Sequence, residues 1–455
     1  MSASIAPTSD VVRNSHRKVA AASFIGTAIE WYDFYIYATA SALVLGPLFF
    51  PQASASAGVL ASFATYAVGF AARPIGGAIA GHLGDRIGRK RVLVASLLLM
   101  GISTALVGCL PTHATIGIAA PILLIVLRLM QGLSAGSEWG GAVLLAVEHA
   151  PARRRGLFGA FPQTGSAAGM ILASSVYAAS RALLGPDAFL SWGWRIPFLA
   201  STVLVVIGLI VRLSVTDAAE FLKLREHGEI AKAPVADVLR QNGREVLLTV
   251  LMRLGQIGSF TLYTVFALTY LTQQVRSDGA SVGLLATIIV SAIGLFSTPL
   301  WGALSDRVGR RPVYLFGAIT TAVLAVPAFL LFDTGSTALI IVAFILGINI
   351  GHDSQYGPQG AMFAELFPTN VRYSGASLGY AIGAVIGGGL TPLAAAWLLD
   401  LGDGTPWLVA AYIALLAVLT IIGAYFAKET RPGPIQDAET TPVADIDTIE
   451  LVGAR

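Results

Sequence analysis

Twelve apolar stretches, each long enough to cross a bilayer as a helix, run through the sequence, and no other feature narrows its fold as much. They lie near residues 19–46, 58–83, 92–110, 116–147, 156–180, 195–214, 246–272, 281–303, 312–333, 337–363, 372–399 and 406–427. About 20 residues rising about 1.5 Å each traverse about 30 Å of hydrocarbon. In hydrocarbon no water meets an open backbone group, so such segments close their own hydrogen bonds as helices. Composition agrees: 55% of the 455 residues are hydrophobic and 12% are charged, about half the charged share of a soluble domain. A soluble fold is excluded. The 49 glycines read as close helix contacts, because small residues let helices approach in lipid.

Lysine and arginine sort by loop. Alternate polar segments, counted from the N-terminus, hold 23 of the 29; the others hold Arg181, Arg195 and Arg276, and Arg73, Arg128 and Arg253 lie inside spans. The positive-inside rule then places both termini in the cytoplasm of a multi-pass inner-membrane protein of a bacterium. It also explains the net charge of +3 without nucleic acid as a partner. Met1 to Lys18 lacks the basic start, apolar core and cleavage site of a secretory signal, so the first span is expected to remain in the protein. The single cysteine, Cys109, rules out a disulfide framework and a thiolate metal site, and reads as a small buried hydrophobe.

Polar stretches divide the chain into a cytoplasmic segment (1–18), a first six-span bundle (19–214), a linker (215–245), a second bundle (246–427) and a tail (428–455). The tail is acidic and rich in Pro and Thr without a heptad pattern, so disorder is expected there. The halves repeat. GHLGDRIGRKR at 81–91 follows span two and GALSDRVGRRP at 302–312 follows span eight; EHAP at 148–151 and ELFP at 365–368 follow spans four and ten. Internal repetition of this kind marks secondary transporters.

The doubled loop motif resembles the signature of the major facilitator superfamily. AIEWYDF (28–34), ARPIGG (72–77), RLMQG (128–132) running into GSEWGG (136–141), and WGWRIPF (192–198) resemble its metabolite:proton symporter family more closely. The resemblance runs from Lys18 to about Thr430. It implies an all-α membrane protein, with twelve transmembrane helices in two pseudo-symmetric six-helix bundles that rock about a central site. The family carries 2-oxoglutarate, citrate, shikimate, and proline or betaine. The coiled-coil extension of its osmosensing members is absent from this tail, and the glycine-proline motif of proton antiporters is not evident in span five.

A charge at bilayer depth costs about 2.5–3.5 kcal/mol on insertion scales, so each one marks a functional candidate. Glu30 and Asp33, three residues apart, share a helical face with Tyr37 close to the same line. Two carboxylates so near do not both ionise readily, which suits a proton carrier. Arg73 requires an anion and is expected to pair with Glu30 or Asp33, either as a permanent bridge or as a partner that the substrate competes for. Arg128 and Gln131 read as site-facing, and Glu138 as a proton-coupling or packing group. In the second half Arg253, Gln256, Tyr263, Asn349, His352, Asp353 and Gln355 form the candidate substrate surface, together with Tyr37, Arg73, Arg128 and Gln131. His352 beside Asp353 is either a titrating group or a hydrogen-bonded structural one.

Gly81, Asp85, Arg86, Gly88 and Arg89, with Asp306, Arg307, Gly309 and Arg310, read as a conformational latch rather than as topology signals alone. No Ser/His/Asp, HExxH or P-loop pattern is present, so neither an enzyme, a cofactor nor a metal site is expected. The expectation is a monomeric, proton-coupled symporter of a small organic acid, its partners being that molecule, protons and the lipid bilayer. A proton-linked efflux antiporter and a transporter-like sensor are the alternatives.

Overall fold

Apolar segments that must satisfy their own backbone give helices, and in the computed structural model the chain is helical almost throughout the residues it describes: 9–87, 89–136, 139–148, 150–214, 234–368 and 371–431. Twelve helical rods follow one another. They are α1 (Ser9–Leu43), α2 (Ala55–Ile87), α3 (Arg89–Cys109), α4 (Ala119–Ala135, resuming as Trp139–Glu148), α5 (Ala152–Gly193) and α6 (Arg195–Ser214) in the first half. The second half holds α7 (Gly243–Val275), α8 (Gly279–Val308), α9 (Arg310–Leu324 and Pro327–Asp333, bent by 48°), α10 (Thr337–Leu366), α11 (Arg372–Leu401) and α12 (Trp407–Phe426). Seven are long and apolar enough to cross a membrane, and the bent pair makes an eighth. The apolar parts of α3, α4 and α6 are shorter, while α1 is interrupted by Glu30 and Asp33.

Burial runs opposite to that of a soluble protein. Phe296 (71%), Ile118 (71%) and Leu300 (67%) are largely exposed, whereas Glu30, Asp33, Arg128, Arg253 and His352 are buried. That pattern fits lipid outside and a polar lining within. Cys109 corrects the sequence expectation, for it is exposed. It ends α3 on the outer belt, where a small apolar side chain gains nothing from burial because lipid is as apolar as protein.

Helices α1–α6 and α7–α12 form two bundles that meet where α5 lies along α8 and α10, and where α2 lies along α11. Within the first bundle α2 crosses α4 on glycines: a Cβ on Gly76 would stand 2.0 Å from the Leu133 carbonyl oxygen, and one on Gly132 2.2 Å from that of Gly69. This approach brings Arg73 and Arg128, which flank the crossing, into one polar interior. α7 is the most enclosed span, with 89% of its apolar window buried, so its polar residues face protein and not lipid. Three second-half rods contain π-helical segments, Leu262–Phe266, Ile345–His352 and Ala384–Gly389. Such segments are frequent at functional sites.

Several sequence expectations lie outside the described residues: the chain before residue 9, residues 215–233 of the linker, the tail beyond Arg431, Glu138, Gly88, and the side chains of Asp85, Arg86 and Arg89. Gly81 lies within the α2 backbone.

Candidate functional site

Charges in a span survive only by meeting one another, and Arg73 on α2 meets Glu30 on α1 at 3.7 Å (Nη2 to Oε1). No hydrogen bond closes that gap from the Arg73 side, where Nε and Nη2 are buried without an acceptor. Aromatic faces hold the guanidinium instead, with Phe34 at 4.4 Å and Phe70 at 4.9 Å. Arg128 lies against the same Phe34 at 4.7 Å and against Tyr37 at 4.1 Å. Its Nη1 donates to Gln131 Oε1 (3.0 Å), and Gln131 Nε2 donates to Thr104 Oγ1 (2.8 Å). Tyr37 exchanges its hydroxyl bond with Thr65 (2.6 Å).

Glu30 and Asp33 are less close in function than in sequence. Glu30 lines the central cavity beside Arg73, while Asp33 turns toward Thr104 on α3 and Ser201 on α6. Neither Asp33 oxygen finds a hydrogen bond of normal geometry; the Thr104 hydroxyl is spent on the Met100 carbonyl at 2.9 Å.

The second half is more fully bonded. Arg253 Nη1 donates to Gln256 Oε1 (2.7 Å) and to Gln359 Oε1 (2.5 Å). Gln256 Nε2 meets His352 Nε2 at 2.5 Å, and His352 Nδ1 meets Asp353 Oδ1 at 2.9 Å. Asp353 Oδ2 accepts from Asn349 Nδ2 (3.0 Å) and from Ser297. Two residues expected here stand apart. Tyr263 packs in an aromatic cluster with Phe332 and Phe344, and Gln355 donates to Thr321 (3.2 Å) and to the Gly351 carbonyl (2.8 Å), facing α9.

Between the halves lies a cavity of 40 Å³ lined by Glu30, Trp31, Arg73, Gln163, Tyr356 and Ser377, among others. That is room for a few waters at most, a narrow space. Its walls carry buried polar atoms without partners: Arg73 Nε and Nη2, Gln163 Oε1, Tyr356 OH and Ser377 Oγ. Buried polar atoms are normally satisfied, so a cluster of open ones indicates where a polar guest fits. Tyr380, also in the wall, lies 3.5 Å from the Arg253 guanidinium. Arg253 therefore stands behind the wall, one ring away from the cavity. Sequence reasoning missed Gln163, Tyr356, Ser377 and Tyr380 as cavity residues; a polar side chain within an apolar span was the available signal for each.

At one end the bundles are tied together. Asp306 at the end of α8 accepts from the backbone N–H groups of Gly156 (2.8 Å) and Leu157 (2.9 Å), at the start of α5 in the other half. A carboxylate at a helix N-terminus also meets the positive end of the dipole. Arg310, buried, reaches Asp306 (2.6 Å) and Glu365 (3.3 Å). Gly309, at φ +115°, makes the turn between α8 and α9. Arg307 is exposed, so Arg310 carries the contact that the sequence reading shared between them. Glu148 and Arg372 pair across the halves at 3.6 Å, partly exposed. Glu429, just after α12, caps α9 by accepting from Arg310 N (2.9 Å) and Arg311 N (3.0 Å), and Thr430 donates to Glu365 (2.7 Å).

The opposite end is looser, with a cavity of 220 Å³ between Ser56 and Val59 of the first half and Thr269, Gln273 and Asp400 of the second. Beside it Arg276 forks onto Asp278 and binds the Gly335 carbonyl (2.9 Å). The hydrogen bond from Arg276 holds the Asp278 carboxyl below the usual range.

Comparison with known proteins places this geometry. The profile of the family described as "Sugar (and other) transporter" matches residues 18–246 and 223–440. The chain is 43% identical to the inner membrane metabolite transport protein YhjE of Escherichia coli K12 over 430 residues, covering 92% of this chain and 95% of that one. It is 40% identical to the shikimate transporter of the same organism over 420 residues (91% and 95%) and 33% identical to its proline/betaine transporter over 438 (94% and 86%). The solved xylose transporter XylE from E. coli shares the fold, with a TM-score of 0.71 at 19% identity over 91% of this chain and 98% of that one.

Proposed function

Because the chain belongs to the sugar (and other) transporter family of the major facilitator superfamily, we propose that it is a symporter that brings a small hydroxylated carboxylate into the cell together with a proton. The observation that carries this reading is a charge balance. Among the described residues, and apart from Arg310 at the tied end, the spans bury three guanidiniums, Arg73, Arg128 and Arg253, and three carboxylates, Glu30, Asp33 and Asp353. Where these described charges cancel, a substrate anion enters at low cost only if one positive charge enters with it. A proton on Glu30 is that charge.

The 3.7 Å separation of Arg73 and Glu30 supports the exchange. A protonated Glu30 releases the guanidinium, whose open Nε and Nη2 then take the substrate carboxylate in a two-pronged contact. The open Gln163 carbonyl and the Tyr356 and Ser377 hydroxyls suit hydroxyl groups, and Trp31 and Tyr356 offer ring faces to a compact carbon skeleton. Asp33 is a second proton carrier, turned toward Thr104 and Ser201.

On this reading the tied end, which carries Asp306 and Glu365, faces the cytoplasm with both termini, in keeping with the basic loops. The protein works as a monomer. Alternating access releases the Asp306, Arg310 and Glu148 contacts and closes the 220 Å³ mouth.

Counterflow in proteoliposomes with labelled shikimate, 2-oxoglutarate, citrate and betaine tests the reading. Exchange of a carboxylate bearing hydroxyl groups, with proton uptake in step, is expected. Exchange of betaine alone refutes the anion part.

A further inference from the structure

The second-half cluster has a direction imposed by its ends. Arg253 is a donor only, so the Gln256 oxygen must face it and the Gln256 NH₂ must face His352. His352 Nε2 is then an acceptor, and the ring carries its one proton on Nδ1, directed at Asp353. Asp353 is an acceptor only, and Asn349 and Ser297 also donate to it. Every link donates the same way, from guanidinium to carboxylate. Gln359 is oriented by the same guanidinium: its oxygen accepts from Arg253 and its NH₂ donates to the Tyr314 hydroxyl at 3.0 Å.

We propose that Gln256 is a positioning residue that makes protonation of His352 and its own acceptance from Arg253 mutually exclusive, so that a proton in this half leaves Arg253 on Gln359 alone and strengthens its pull on the anion in the cavity. The inference rests on the symport reading above for its anion, though not for the proton site itself. The chemistry is one N–H bond formed. A proton adds to the Nε2 lone pair, no bond breaks, and the ring becomes a cation that donates on both sides.

The Gln256 NH₂ now opposes an N–H and has to turn about. Turning presents the same NH₂ to Arg253 and to the Gln359 NH₂ that had donated to the Gln256 oxygen (3.3 Å), so Arg253 keeps only Gln359 as an amide acceptor and is repelled by Gln256. Arg253 Nε already lacks a partner, and the guanidinium rests 3.5 Å from Tyr380, whose ring is a wall of the cavity. An Arg253 with one acceptor fewer therefore raises the positive potential where an anion binds.

The titratable and charged groups facing His352 are Asp353 and Tyr356 on its own helix and Arg253 on α7. From α7 the Phe260 ring covers the imidazole at 4.8 Å. α8 presents Ser297, α9 presents Tyr314 through Gln359, and α5 presents Gln163 through the Tyr356 carbonyl at 2.6 Å. Asp353 is the only carboxylate among these groups, and the His352 Nδ1–H already points at it, with Asn349 and Ser297 on its other oxygen. The proton therefore changes Gln256 and not Asp353.

Two measurements test the proposal. In full-length protein labelled with ¹⁵N-histidine, the His352 signals are those lost in His352→Gln. At pH 8 the wild type is expected to show a bare Nε2 and a protonated Nδ1. Gln256→Glu, whose carboxylate accepts from both neighbours, is expected to show the doubly protonated ring at pH 7. A ring protonated on Nε2, or a Gln256→Glu spectrum identical to wild type, overturns the tautomer argument whatever the substrate proves to be.

In uptake assays with whichever compound of the counterflow panel is exchanged, the wild-type KM is expected to fall at least threefold between pH 8 and pH 6. In both His352→Gln and Gln256→Glu that fall is expected to shrink to the part that Glu30 supplies, at least halving the wild-type change. A KM that follows pH in His352→Gln as in wild type sinks the coupling, even if Glu30 and Asp33 prove to be the proton carriers.

Discussion

Arg73 is held mainly by rings. Its guanidinium lies over Phe34 and Phe70, contacts worth about 2 kcal/mol or more where water is excluded, and its carboxylate neighbour stands beyond hydrogen-bond reach. A charge kept in place without being satisfied is ready for another anion. Glu30→Gln is therefore expected to keep counterflow while losing accumulation against a gradient, and Asp33→Asn to lose accumulation as well. Accumulation retained in both variants would place the proton path elsewhere. Arg73→Ala removes the cation that stands 3.7 Å from buried Glu30, and breaking a buried pair costs about 3–5 kcal/mol. It should lower thermal stability in detergent and abolish binding, whereas Arg73→Lys keeps the charge and loses only the two-pronged contact. Normal binding by a readily unfolded Arg73→Ala protein would instead make the pair a structural bridge.

Helices α2 and α4 show what their glycines are for. With a Cβ on Gly76 falling 2.0 Å from the Leu133 oxygen, Gly76→Ala has no flexible neighbour to displace and must move a helix. A cost of about 1–3 kcal/mol is typical of such overpacking, and it should appear as a lower midpoint in thermal unfolding of the purified protein. Because the shift separates Arg73 from Arg128 across the crossing, substrate affinity should fall with it. A Gly76→Ala protein of unchanged stability would mean that the crossing is looser than this geometry. The α5–α8 contact is similar in kind: a Cβ on Gly156 would stand 2.4 Å from the Gly302 oxygen. Its consequence belongs to the whole molecule, since those two helices belong to different halves.

The tied end sets which way the molecule faces. Asp306 accepts from two backbone donors and one guanidinium, and a hydrogen bond to a charged group contributes about 1.5–3 kcal/mol. Asp306→Ala should shift the population at least tenfold toward the form open at that end, read as longer spin-label distances between the starts of α5 and α9. An unchanged distance distribution would make the contact incidental to gating. The Glu148–Arg372 pair, more exposed, should matter less. Glu429 and Thr430 tie the last described segment to the same gate, so a chain stopped after Arg431 should transport as the intact protein does. One stopped after Lys428 should show the shift expected for Asp306→Ala. Equal behaviour of the two truncations would remove the end of α12 from the gate.

The number of rods, the two related halves and the family were legible in the sequence because each rests on a local or repeated signal: apolar runs of span length, loop charge, and GHLGDRIGRKR echoed as GALSDRVGRRP. That Arg73 meets a carboxylate of the first span was legible too, since few partners exist at that depth; that it is Glu30 and not Asp33 was not. Spacing left open what each polar face meets, because that depends on how helices rotate against one another. Glu30 and Asp33 share a turn yet face a cavity and a hydroxyl pair respectively, Tyr263 enters an aromatic cluster, and Arg253 stands one ring behind the wall. Among the cavity residues Gln163, Tyr356, Ser377 and Tyr380 come from three different helices, and only the packed bundle sets them around one space. The sequence by itself determined a two-bundle membrane protein with charges in its interior. The tertiary structure decided which of those charges are satisfied and which are left open for a guest, because satisfaction depends on neighbours distant in the chain.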